Sequence, residues 1–141
     1  MDFKYTLEDL NDSIITSKKW PLLFYYEDFN IKIHLINSQI YWEEYYGYLF
    51  TERIVNLWIT PLEEKIILPI RFIKKIIKGE TLYTNIDITN DMKIIDLSTI
   101  EIPYKSINKS IYIQYIAYGF ISTEIEEKII SKSLLYIKEI I

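Results

Sequence analysis

Apolar spacing divides the chain into alternating helical and extended stretches. Leu7, Leu10 and Ile14 share one helical face, Thr6 can cap it, and Glu8 and Asp9 suit its positive end. These signals predict a first helix over 7–18, closed by Trp20-Pro21 because proline disfavours a helical residue before it. The run 22–26 is apolar and aromatic and reads as a strand. From Phe29 to Leu35 the chain alternates, with Phe29, Ile31, Ile33 and Leu35 on one face and Asn30, Lys32 and His34 on the other, which predicts a strand and a hairpin with 22–26. Residues 53–60 read as a further strand stopped by Pro61.

Pro69 and Gly79 bracket a run in which Ile70, Ile73, Ile76 and Ile77 recur at helical spacing, so 69–78 is predicted as a middle helix. Strands are predicted over 81–89, 93–97, 99–102 and 110–121, with Asn90-Asp91 as turn chemistry. The pattern Thr123-Glu124-Ile125-Glu126 is a capping box, and it opens a C-terminal helix over 124–140. Strands come in runs rather than alternating with helices. The expected class is therefore α+β: one domain over 1–141, a largely antiparallel sheet and about three helices (N-terminal, middle and C-terminal).

Composition changes how far these patterns can be trusted. Thirty-one residues are isoleucine, against one valine and one alanine. Ile, Lys, Asn, Tyr and Phe, whose codons are A/T-rich, make up 71 residues, and Gly, Ala, Arg and Pro only 10. A gene in A/T-rich DNA, such as a mobile island, a virus or an A/T-rich bacterium, is the expected source. Isoleucine then fills helix and strand faces alike. Half the residues are hydrophobic, enough for a sizeable core and too many for a disordered chain. The N-terminus lacks the apolar run of a signal peptide, and no 18-residue apolar stretch could span a bilayer, so a cytoplasmic chain is expected.

Candidate chemistry is sparse. The absence of cysteine excludes disulfides, thiolate metal sites and a thiol nucleophile. The single histidine, His34, excludes any site built on several imidazoles, and no serine lies in a Gly-x-Ser-x-Gly context. The adjacent acid pairs Glu43-Glu44, Glu63-Glu64 and Glu126-Glu127 do not face one another on a helix or a strand, and the three glycines are too far apart for a phosphate loop. The expectation is no catalytic residue, no metal and no cofactor. A carboxylate-dependent enzyme is the reading this leaves least room for.

Two segments stand out. Residues 65–78 carry five cations and no acid inside an otherwise acidic chain of net charge −4. On a helix Arg71, Lys74, Lys75 and Lys78 form one stripe that could grip phosphates or an acidic partner, or simply face solvent. The second is the aromatic and acidic run Tyr41, Trp42, Glu43, Glu44, Tyr45 and Tyr46. Tyr and Trp dominate binding hot spots, and acids beside them suit a basic partner. As a helix this run would gather Tyr41, Tyr45 and Tyr48 on one side with Glu44 beside them, and as a strand it would place Trp42, Glu44 and Tyr46 together.

The expected function is therefore a small acidic protein-binding module. Its concrete form is an immunity or antitoxin-like inhibitor that occludes a toxin, such as a basic nuclease. The alternatives are a virus- or phage-encoded accessory protein and a nucleic-acid-associated protein using the basic stripe, although the acidic balance does not mark a dedicated nucleic-acid binder. Exposed strand edges or the hydrophobic end Ile140-Ile141 leave room for a homodimer.

Overall fold

The computed structural model describes residues 3–9 and 29–120, together with 122, 124, 125, 127, 128 and 131. The chain divides into two compact units, one from residues 1–10 and 52–118, the other from 11–51 and 119–141.

The first unit is built from strands. Its larger sheet joins β1 (Phe3–Asp9), β2 (Arg53–Ile59), β7 (Ile111–Ala117) and β4 (Ile73–Thr81) in that spatial order. All its neighbours are antiparallel. A smaller antiparallel sheet joins β3 (Lys65–Ile67), β6 (Thr99–Glu101) and β5 (Lys93–Ile94). Strict alternation sorts the side chains of the larger sheet. Val55 and Leu57 of β2 and Ile111, Ile113, Tyr115 and Ala117 of β7 are wholly buried on one face. Met92 lies over this face at Gly79, where a Cβ would overlap the Met92 methyl group, so glycine is required there while Met92 keeps this position. The Tyr115 hydroxyl donates to the Ile70 carbonyl (2.9 Å), which ties the segment before β4 to the centre of the sheet. Burial pushes that phenol well above its ordinary pKa.

The opposite face is half-exposed and polar, and its registers set out three rows. Lys4, Trp58, Tyr112 and Glu80 form the first, Thr6, Asn56, Gln114 and Lys78 the second, and Glu8, Ile54, Ile116 and Lys75 the third. The amide of Asn56 is the hub, since its Oδ1 accepts from the Tyr112 hydroxyl (2.5 Å) and from Gln114 Nε2 (3.0 Å).

The middle helix expected over 69–78 is instead the edge strand β4. Two register shifts, between Ile73 and Lys75 and between Ile76 and Lys78, each absorb one extra residue. Each bulge turns the strand period of two into a local period of three. Ile73, Ile76 and Gly79 thus pair along the core-face residues of β7, although they are spaced like a helix. The helix expected over 7–18 is corrected over 7–9, which belong to β1. Phe3, Tyr5 and Leu7 alternate with Lys4, Thr6 and Glu8, and pairing with β2 outweighs the capping signal at Thr6. The rest of that helix and the strand over 22–26 lie outside the described residues. The strand expected over 81–89 ends at Thr81, where Leu82–Thr84 turn the chain, and that expected over 93–97 is reduced to two residues.

In the second unit the strand expected over 29–35 is the start of an eighteen-residue helix, α1 (Phe29–Tyr46). No glycine or proline interrupts the chain between 22 and 46, so the helix continues through the aromatic run. Gly47 ends it with φ of 77°, donating its N–H to the Glu43 carbonyl (2.8 Å) in a left-handed C-terminal cap. Toward the C-terminus Glu124, Ile125, Glu127, Lys128 and Ser131 are helical. The Ile125 amide donates to the Ser122 hydroxyl (3.3 Å), a cap one residue ahead of Thr123. The fold is α+β with antiparallel sheets and one full helix among the described residues. No described helix is long and apolar enough to cross a membrane.

Isoleucines that a helix would have placed together are therefore separated. Ile73 is buried, whereas Ile77 sits on a bulge and is 36% exposed. Ile73→Ala is expected to cost about 2–4 kcal/mol in denaturant unfolding, and Ile77→Ala less than about 1 kcal/mol. Equal costs would contradict the strand. Acid sensitivity follows from the turns. Bonds from Thr89 hold Asp87 below the usual carboxylate range, and the Ser98 amide does the same for Asp96. A lowered folded pKa stabilises above the unfolded value near about 4 and is lost as pH falls through the folded value. Asp96→Asn should flatten the fall of Tm below about pH 4, and an unchanged acid profile would contradict the assignment.

Candidate functional site

The aromatic and acidic run lies on the last two turns of α1, and helical geometry splits it into two faces. Ser38, Gln39 and Glu43 are buried, and Trp42 and Tyr46 are half-buried behind them. Asn37, Ile40, Tyr41, Glu44 and Tyr45 are exposed, with Tyr41 at 49% and Tyr45 at 69%. Adjacency in sequence therefore separates the two acids. Glu44 faces outward, whereas Glu43 is turned into the unit.

Glu43 works inside the fold. Its Oε2 accepts from the Phe50 amide (2.8 Å) and from Gln39 Nε2 (3.3 Å), and Gln39 also donates to the Thr51 hydroxyl (3.0 Å). One carboxylate thus fastens the loop 47–51 back onto the helix that precedes it. The loop is further pinned where Gly119 passes it, because a Cβ at 119 would overlap the Thr51 backbone.

Rings surround this anchor. Trp42 makes edge-to-face pairs with Tyr41 (5.1 Å) and Tyr45 (5.5 Å). Tyr48 turns inward after Gly47 and stacks on Phe120 at 4.6 Å with the rings 8° apart. Lys128 donates to the Tyr46 hydroxyl (2.7 Å) and lies over the Trp42 and Tyr46 rings at 5.2 and 5.4 Å. The hydrogen bond to Tyr46 raises the Lys128 pKa, so the ammonium stays charged at neutral pH. The exposed tyrosines thus stand on a braced platform.

The basic residues do not form a helical stripe, because Lys74, Lys75 and Lys78 lie on the bulged strand β4 and Arg71 precedes it. Lys74 pairs with Glu52 (2.6 Å), which raises its pKa, and lies 5.4 Å from the centre of the Tyr118 ring. Lys75 and Lys78 stand in the outer-face rows of the sheet, with Glu80 3.5 Å from Lys78. Arg71 lies over the Phe72 ring at 5.6 Å. Lysines and bulges on an edge strand are a known defence against unwanted strand pairing. Among the described residues no three carboxylate or imidazole side chains sit close enough to share a metal ion.

Sequence reasoning did not find the outer sheet face with its Trp58–Tyr112 pair (5.3 Å) or the place of β1 at the edge of the sheet among the described strands. The period-two pattern of Phe3 to Glu8 was the available signal. No family model, no curated protein and no solved structure matches the chain.

The two acids should respond differently to substitution. Glu43→Ala removes the acceptor of the Phe50 amide and one acceptor of Gln39 and should cost about 2–3 kcal/mol in thermal or denaturant unfolding. Among the described residues the buried Ser38 hydroxyl has no hydrogen-bond partner, so Ser38→Ala should change stability by less than about 0.5 kcal/mol or raise it. A neutral Glu43→Ala would remove the anchoring role.

Proposed function

We propose that the chain is a small protein-binding module that acts by occupying a partner. Its most concrete form is a cytoplasmic immunity or antitoxin-like inhibitor that neutralises a toxin domain, with a basic nuclease as the fitting target. The observation that carries the reading is the exposed side of α1, where Tyr41, Glu44 and Tyr45 stand together while Trp42, Glu43 and Tyr46 brace them from behind. Large rings with few rotors lose little entropy on binding, and a rigid support lowers the ordering cost further. Glu44 and the net charge of −4 favour a basic surface and speed encounter with it.

A virus- or phage-encoded accessory protein that binds a host protein would use the same surface. The nucleic-acid reading loses its helical stripe and keeps only Lys75 and Lys78 on the outer sheet face. A carboxylate-dependent enzyme is the reading with the least support.

Co-expression with toxin domains of the basic-nuclease class tests the proposal. Wild-type chain should restore growth and bind the toxin. Tyr45→Ala should weaken binding by about thirtyfold or more, as loss of a hot-spot ring of about 2 kcal/mol does. Glu44→Lys should mainly slow association. Both variants should keep the wild-type Tm. Absence of protection, or protection with affinity indifferent to both substitutions, would refute the proposal.

A further inference from the structure

The larger sheet has two edges, and they are built differently. The β4 edge carries two bulges and three lysines. The β1 edge has no irregularity: seven consecutive residues keep one register with β2, from Phe3 opposite Ile59 to Asp9 opposite Arg53. Phe3, Lys4, Tyr5, Thr6 and Glu8 are all exposed, with Phe3 at 52% and Tyr5 at 40%, and none of the described residues covers this strand. Among the described residues no backbone hydrogen bond reaches its outer side. The edges of the smaller sheet, three and two residues long, offer little to pair with. A long, regular, uncovered edge is a template for another strand.

The order of side chains along β1 says which strand. Lys4 stands near its start and Glu8 near its end, both on the outer face, with Thr6 midway. An antiparallel copy of β1 centred on Thr6 sets Lys4 of each chain opposite Glu8 of the other. On the other face it sets Tyr5 opposite Leu7 of the other chain. Opposite charges and a ring against an aliphatic side chain are both favourable directly across a strand pair. A slip of one residue would join core-face to outer-face positions, and a slip of two would part the charges. We propose that β1 is the interface of a two-fold homodimer, in which two four-stranded sheets continue into one of eight strands through antiparallel β1–β1 pairing. The surface is self-complementary, as a two-fold contact requires. It is independent of the exposed side of α1 and of the function proposed for it.

A single strand pair is a small interface, so the dimer is a weak one, with Kd on the order of tens of micromolar. Sedimentation velocity on the full chain from about 5 to 500 micromolar at low salt should show a monomer–dimer equilibrium. Lys4→Glu or Glu8→Lys alone places like charges across both symmetric pairs and should raise Kd about tenfold or more. The double exchange K4E/E8K restores both pairs in reverse and should return Kd to within about threefold of wild type. The amides of residues 4–8 should exchange more slowly at high than at low concentration, and Tyr45→Ala should leave Kd unchanged. Should one single variant fail to fold, the other still weakens the dimer and the double exchange still tests rescue. A chain that stays monomeric throughout overturns the proposal and assigns the edge, if to anything, to a strand of another protein. Single exchanges without effect, or a double exchange that does not restore association, overturn it equally.

Discussion

Seven consecutive residue pairs join β2 to β7, from Arg53 opposite Ala117 to Ile59 opposite Ile111. The other two strands of the larger sheet take their positions from this pair. It places Val55, Leu57, Ile113 and Tyr115 side by side in a layer closed to water. Each large aliphatic side chain so buried contributes about 1.5–3 kcal/mol, and the ladder between the strands satisfies backbone groups that burial would otherwise strand. β1 and β4 then add to the two outer sides, and the outer face inherits its three rows from the same registers. Tyr115 extends the arrangement by holding the chain at Ile70 just before β4 begins. Phe72 follows with φ of 68°, an unusual value for an aromatic residue, between backbone bonds to Leu97 and Tyr118.

The second unit depends on a different device. A carboxylate in the last turns of α1 holds the loop that follows, beside the buried Leu49 and Phe50. Glu43 is costly to bury, and two donors offset that cost locally. The consequence is a helix end whose exposed rings are held from beneath by hydrogen bonds, stacked aromatics and the Lys128 ammonium. Loops with so many fixed points lose little freedom on meeting a partner.

How much of this was legible in the sequence depended on whether one period dominated a segment. β2 and β7 were legible because alternation, β-branched residues and Pro61 agreed. β6 was legible for the same reason. The β4 segment was not, since two bulges give its core residues a spacing of three and isoleucine serves helix and strand equally. α1 was misread over 29–35 because an alternating isoleucine pattern can also wrap a helix that is apolar on several sides. β1 was misread because Thr6 followed by two acids imitates a helix start. At the candidate site, helical spacing groups Tyr41, Glu44 and Tyr45 and strand spacing groups Trp42, Glu44 and Tyr46, and nothing local to 41–46 chose between them. The inward turn of Glu43 was not legible, because it depends on the Phe50 amide, which local pattern does not position. The basic character of 65–78 was legible, whereas its arrangement along a bulged edge was not.

Native-state amide hydrogen exchange tests the central claim, that a β2–β7 pair organises the first unit and that 73–81 joins it as a strand. Amides of β2 and β7 should be the slowest in the unit and should exchange together at the global unfolding free energy. Protection along 73–81 should be discontinuous, with the bulges at Lys74 and Ile77 breaking it. Continuous protection from residue 70 to 78, as a helix would give, or faster exchange in β7 than in the edge strands, would contradict the account.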